Sequence, residues 1–169
     1  ACIPNYEVRQ EFETAIADTS WKEVTSALEH SEDLLAHLLN GDEEDVATNV
    51  AEVHEQNTSI LKYNDENSLA CVLSLAFYTA RNRYEMIREL PTGKGFADIV
   101  LLPYRHVDAP AIVLELKWNN DADTAISQIK LQGYGKSLMH YVGDVILVGI
   151  NYDKQTKVHS CKIEKIVKK

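Results

Sequence analysis

The chain has 169 residues, 45% apolar and 25% charged, with a formal net charge of −9. That is enough for one ordinary globular domain with a real core and a small extra subdomain. No apolar run approaches the roughly 20 residues that span a membrane, and no signal-peptide pattern opens the chain.

The first residue is Ala1 rather than Met, which raises the expectation of a piece of a longer protein. Cys2, Cys71 and Cys161 lie far apart, and none belongs to a CxxC pair. The odd count argues against a disulfide framework or a zinc knuckle and for a reducing cytoplasm. The six histidines form no HxxxH or HExxH pair, so a histidine zinc site has little support. Charge is uneven. Residues 1 to 80 hold 3 Lys/Arg against 16 Asp/Glu, and residues 81 to 169 hold 14 against 10. Only the second half is suited to face a polyanion.

The first third reads helical. "NYEVRQEFETAIA" has near-helical apolar spacing with Asn5 as a candidate N-cap. "SALEHSEDLLAHLLNGD" closes on Asn40-Gly41, a C-cap signal. "GDEEDVATNVAEVHEQN" starts with acids that suit the helix dipole, and Val46, Val50 and Val53 form its stripe. "NDENSLACVLSLAFYTARN" carries Leu69, Val72, Leu73, Ala76, Phe77 and Ala80 at helical spacing. One turn back along that stripe is Glu66, either a helix-start acid or a group aimed into a site.

After residue 82 the period changes to two. "YEMIREL", "PTGKG" and "FADIVLLPY" read as a β-hairpin, and "APAIVLELKW" as a third strand. "DADTAISQIKLQGYGKSLMHY" reads as a helix capped by Asp121 or Asp123, with Gly133 and Gly135 late in it. "GDVILVGINY", a "DKQT" turn and "KVHSCKIEKI" add two strands. The order predicts a mixed α/β core with a helical N-terminal extension over residues 1–60 and the main domain over 61–169.

In the third strand, alternation puts Glu115 and Lys117 on one face with Ala111 and Val113. In the second, Asp98 shares a face with Phe96, Val100 and Leu102. Three charges on two successive apolar strands need a compensating partner. A salt bridge among them is one reading. A shared hard-oxygen site for Mg²⁺ or Mn²⁺ is the other, with the ammonium orienting a water for metal-assisted phosphodiester hydrolysis.

"GFADIVLLP…AIVLELKW" followed by "AISQIKLQGY" resembles the PD-(D/E)xK nuclease superfamily, in particular the bacterial branch whose domain ends a predicted AAA-type ATPase. The resemblance covers roughly residues 63 to 165, and "IPNYEVRQEF" is similar to the segment that joins the two parts. It implies a restriction-endonuclease-like αβββαβ core. It implies Asp98 and Glu115 as direct metal ligands, the Leu116 carbonyl as a backbone ligand and Glu66 as an acid supporting the metal through water. Lys117 would activate the attacking water, with Gln128 and Tyr134 on the following helix. Ala97 stands where the family name has proline.

Arg88, Lys94, Lys130 and Tyr134 are candidates for nucleic-acid contact, with Arg81, Arg83 and Lys136 as further cations. The expected partners are nucleic acid, with DNA preferred, and an N-terminal ATPase region, without a membrane. Cutting two strands would call for a homodimer. A catalytically idle module of the same fold, binding nucleic acid or protein, is the alternative that the acidic balance favours. No GxxxxGK[ST] P-loop occurs, so ATP hydrolysis by that route is not expected of this chain.

Overall fold

The computed structural model describes residues 19–57, 66–91, 96–132, 141 and 143–167. The helix expected from "NYEVRQEFETAIA", the "TGKG" turn and the glycine-containing end of the later helix lie outside them.

Helix α1 (Thr19–Asn40) buries Leu34, Leu35 and Leu38. It stops where the Asn-Gly signal placed its end. Gly41 has φ +94°. Its N–H donates to the Leu38 carbonyl, and that of Asp42 to the His37 carbonyl at 3.0 Å. This paired closure satisfies carbonyls the helix would otherwise leave orphaned, and only glycine adopts the backbone without strain. Helix α2 (Glu43–Asn57) opens on Glu43, Glu44 and Asp45. Glu43 does more than face the dipole: its Oε1 accepts the Ile163 N–H at 2.8 Å, and it lies 3.4 Å from Lys162 Nζ.

Helix α3 (Glu66–Ala76) turns Leu69, Val72, Leu73 and Ala76 inward. The predicted single helix through residue 82 ends earlier, and a 3₁₀ turn follows over Thr79–Asn82. The reason is a contact with a distant segment. The Thr79 N–H and hydroxyl both donate to Ser31 Oγ on α1, at 3.0 and 2.9 Å. A donor committed to another element cannot continue the i→i−4 ladder.

Five strands follow, β1 (Tyr84–Pro91), β2 (Phe96–Pro103), β3 (Ala111–Trp118), β4 (Val145–Asp153) and β5 (Val158–Ile166), with helix α4 (Ala122–Gln132) between β3 and β4. They form one sheet in the order β1-β2-β3-β4-β5. All pairs are antiparallel except β3 with β4, which are parallel, as a helical crossover requires. The expected αβββαβ order is thus present, extended by β5.

The sheet is covered on both faces. Helices α1, α2 and α3 share one apolar cluster with Ile99, Leu101, Ile112, Leu114, Leu116 and Val148. The two helices before residue 61 are therefore packed into the same core as the sheet. On the other face Ile126 and Ile129 of α4 pack with Val100, Val113 and Leu147. Residues 111–116 are buried without interruption, the pattern of a strand covered on both sides. Among the described residues no helix is long and apolar enough to cross a membrane.

Where α2 meets β4 and β5, rings replace aliphatic packing. His54 lies 5.1 Å from both Tyr152 and His159, centroid to centroid, and Tyr152 also packs on Trp118 at 4.9 Å. Burial holds the His159 imidazole down to about 4, with the neighbouring His54 adding to the effect. Burial lowers His54 as well, against the charge of Glu55. A depressed histidine stays neutral in the fold while the unfolded chain takes up its proton near 6.5. Stability is therefore full above about pH 6.5 and is lost as pH falls towards 4. Urea unfolding at pH 7 and pH 5 should show the parent losing about 2 kcal/mol more than His159→Phe over that interval. Equal losses in both proteins would remove His159 as the cause.

Candidate active site

β3 runs through the middle of the sheet, so its side chains see protein on both faces. Glu115 is 2% exposed, although carboxylates almost never sit there unless paired. Its Oε1 lies 3.3 Å from Lys117 Nζ, and the lysine side chain is 12% exposed. Alternation brings the two together, as their spacing in the sequence implies. This pair is largely shielded from water, so each charge depends on its partners. Removing one partner of such a pair typically costs about 3–5 kcal/mol.

Asp98 comes from the neighbouring strand. β2 and β3 pair at Leu101↔Ile112, Val100↔Val113 and Ile99↔Leu114, and the ladder stops there. Continued by one residue, that register sets Asp98 opposite Glu115. The Leu116 N–H, which faces β2, donates instead to Asp98 Oδ2 at 2.7 Å. The Leu116 carbonyl turns the same way, because the N–H and C=O of a strand residue share one edge. Two carboxylates, a backbone carbonyl and an ammonium therefore meet where the two strands part.

The other neighbour of β2 is also distorted. The β1–β2 register runs through Arg88↔Ile99 and Leu90↔Ala97 but omits Glu89 with Asp98, and Glu89 has φ +53°. Ile99 packs on the α1–α3 side, whereas Ala97, two residues before it, packs on the α4 side. The regular alternation expected through Asp98 thus breaks at that residue. A left-handed residue bends an edge strand much as a bulge does, and re-aims the side chains beside it.

Helix α4 roofs the site. Asp121 caps it, accepting the Thr124 N–H and, at 2.9 Å, the Thr124 hydroxyl. The loop before it is fixed by Asn151, whose Oδ1 accepts the Asn120 N–H at 3.0 Å. Asn151 is 3% exposed and pairs with Lys117 in the β3–β4 register. Gly149 pairs with Glu115 in the same register. A Cβ at Gly149 would collide with the Ala122 carbonyl oxygen and come within 2.9 Å of the Ala125 Cβ. Glycine lets the first turn of α4 settle directly onto β4, beside the buried carboxylate. Neither Gly149 nor Asn151 figured among the sequence candidates. The signal was present: a glycine and an asparagine inside the apolar run "VILVGINY".

The remaining candidates divide. Gln128 is half-buried on a flank of α4. Lys130 lies on the other flank, about 160° away at 3.6 residues per turn, and is paired with Glu164 of β5 at 2.7 Å. The fold thus leaves Gln128 on the β3 side and engages Lys130 on the β5 side. Arg88 is exposed on the edge strand β1, one rung from Asp98. Glu66 is the first residue of α3, and its side chain lies outside the described residues, as do Lys94 and Tyr134. A separate carboxylate–imidazole group, His37, Asp42 and Asp45, gathers at the α1–α2 corner.

The donor set between β2 and β3 is all oxygen, two anionic carboxylates and a carbonyl, which suits hard divalent cations such as Mg²⁺ or Mn²⁺ rather than zinc.

Two consequences are measurable. Asp98→Ala deprives the Leu116 N–H of its acceptor and should cost about 1–3 kcal/mol. Asp98→Asn keeps an oxygen there. Hydrogen exchange at the Leu116 amide should accelerate in the alanine variant and stay slow in the asparagine one. Gly149→Ala should destabilise by about 1–3 kcal/mol through overpacking against α4, read by urea unfolding against an exposed control such as Gln155→Ala.

Residues 64–162, more than half of the chain, match the family model described as the PD-(D/E)XK nuclease superfamily. A search of curated proteins gives no match. The matched span runs from the entrance of α3 into β5 and takes in Asp98, Glu115 and Lys117. The chain belongs to the PD-(D/E)XK nuclease superfamily.

Proposed function

We propose that the chain is a metal-dependent nuclease that hydrolyses phosphodiester bonds of DNA. The observation that carries this reading is the convergence of Asp98, Glu115 and Lys117 where the β2–β3 ladder opens. Asp98, Glu115 and the Leu116 carbonyl would hold Mg²⁺ or Mn²⁺, with Glu66 as a supporting acid. When bound, such an ion supplies an acidified water and charge neutralisation at a phosphate.

The chain's own residues have distinct parts in this proposal. The Leu116 N–H holds the Asp98 carboxylate in one orientation before any ligand arrives. Lys117 Nζ carries three donors. One is directed at Glu115 Oε1, which leaves others to orient a water or a phosphate oxygen. Gln128 would add a polar contact from the flank of α4. Burial of Glu115 removes water from its surroundings and makes each of these interactions stronger than in solution.

Arg88, Lys94 and Tyr134 are proposed to contact the nucleic-acid backbone, and the excess of Lys and Arg after residue 80 suits that task. An N-terminal ATPase region of the same protein is proposed from the sequence resemblance, a division near residue 60 from the order of elements, and a homodimer because cutting two strands calls for two sites. A reducing cytoplasm fits the isolated cysteines. The Cys161 thiol is pushed up to about 12, first by burial, and is not poised for redox chemistry.

The test is incubation with supercoiled plasmid, single-stranded DNA and RNA in Mg²⁺ or Mn²⁺, alongside Lys117→Ala. Cleavage should require metal and fall at least about a hundredfold in the variant. Mn²⁺ should also raise the melting temperature of the parent, by the equivalent of about 2.7 kcal/mol at a hundredfold excess over Kd, and not that of Asp98→Ala. A Mn²⁺ shift without cleavage of any substrate would move the assignment to an idle binding module. Absence of both would overturn the metal site.

A further inference from the structure

We propose that the corner where β1 begins and β2 ends is a binding surface for single-stranded nucleic acid. The proposal rests on the nuclease reading and names the form of substrate presented to that site.

Two segments build the corner, and a backbone bond joins them: the Tyr104 N–H donates to the Arg83 carbonyl at 3.0 Å. Residues 78–84 and 103–107 together hold three arginines and a histidine and no acidic residue, in a chain of net charge −9. Arg81, Arg83, Arg105 and His106 are all exposed. The rings are exposed too. Tyr78 is 56% and Tyr104 39% accessible, whereas Phe77, Tyr84, Trp118, Tyr141 and Tyr152 are buried or half-buried, as their apolar area favours.

The geometry is that of stacking. The Tyr104 and His106 rings lie 6.0 Å apart and only 7° from parallel. The Arg81 guanidinium sits 6.0 Å over the Tyr78 ring. Exposed flat rings with arginines on the same two segments are what unpaired bases and their phosphates need: bases stack on the rings, and guanidiniums take the backbone. A duplex keeps its base faces stacked inside, so it could use the arginines but not the rings. Glu32 lines the hollow beside Arg83, and Glu85 and Asp108 border the two segments. Those acids limit the basic area to the corner itself.

Position ties the corner to the site. Asp98 and Pro103 stand near the two ends of β2, five residues apart, or about 17 Å at the rise of a strand. That is about five nucleotides at duplex spacing, and fewer in an extended strand.

The test is fluorescence anisotropy in EDTA, with a labelled oligothymidylate and a blunt duplex of equal length. The parent should bind the single strand at least about tenfold more tightly than the duplex. Tyr104→Ala should weaken single-strand binding about tenfold and Tyr104→Phe should not, because stacking needs the ring and not the hydroxyl. Arg105→Ala should lower the slope of log affinity against log salt by about 0.7. Both residues changed are on the surface, and unchanged melting curves would confirm intact folding. Equal binding of both ligands, or alanine variants that bind the single strand like the parent, would overturn the proposal. Metal-dependent cleavage measured on the same proteins separates the two readings. Cleavage retained with the corner variants indifferent leaves the nuclease standing without this surface. Binding lost in those variants with no cleavage by any protein leaves the surface standing without the nuclease.

Discussion

One hydrogen bond organises the site: the Leu116 N–H to Asp98 Oδ2 at 2.7 Å. An antiparallel ladder normally continues until one strand ends. Between β2 and β3 it stops at Ile99↔Leu114 while both strands go on. A side chain has taken the place of a backbone acceptor. The exchange keeps the Leu116 donor satisfied, which a part-buried amide requires. It also leaves a gap, or cleft, in the hydrogen-bond ladder between two strands of the five-stranded sheet. Asp98 is thereby both the residue that opens this gap in the ladder and one of the charges beside it. The left-handed backbone at Glu89 fits the same logic, since the edge strand must bend where its partner turns away.

The cleft would be unstable with carboxylates alone. Glu115 sits within the unbroken buried run 111–116 of β3, where an isolated anion would be driven to take up a proton. Lys117, on the same face at 3.3 Å, offsets that cost. The close seating of α4 over Gly149 keeps water from one side of the pair and strengthens the attraction between its charges.

Much of this was legible in the sequence because it depends on short-range rules. Alternation put Glu115 beside Lys117, the acids after Gly41 marked the start of α2, and Asp121 marked the start of α4. What was hidden depends on contacts between distant segments. Thr79 ends α3 because Ser31 lies within reach, 48 residues earlier. Lys130 meets Glu164 of β5, a pairing no local pattern reveals. Gly149 and Asn151 stood in plain view as interruptions of an apolar strand. Their meaning appears only when the parallel register sets them against Glu115 and Lys117. The break of alternation at Asp98 lies opposite the left-handed backbone at Glu89, a conformation that no residue type there announces.

The two faces of β3 are not independent. Lys117 projects into the cleft, and Trp118 projects to the opposite side, where it packs on Tyr152 and through it on His54 and His159. Asn119 then turns the chain with φ +53°, donates its N–H to the Tyr152 carbonyl, and accepts the Lys154 N–H through its side chain. The end of β3 is therefore clamped from the helical side just where its other face carries the charges. This gives the α1–α3 layer a role beyond stability. A rigid ring cluster beneath Lys117 fixes the backbone from which the ammonium extends, and a strand that could shift there would not hold Lys117 against Glu115. The N-terminal helices are thus a structural support of the cleft, built from the acidic part of the chain and placed on the face away from its charges.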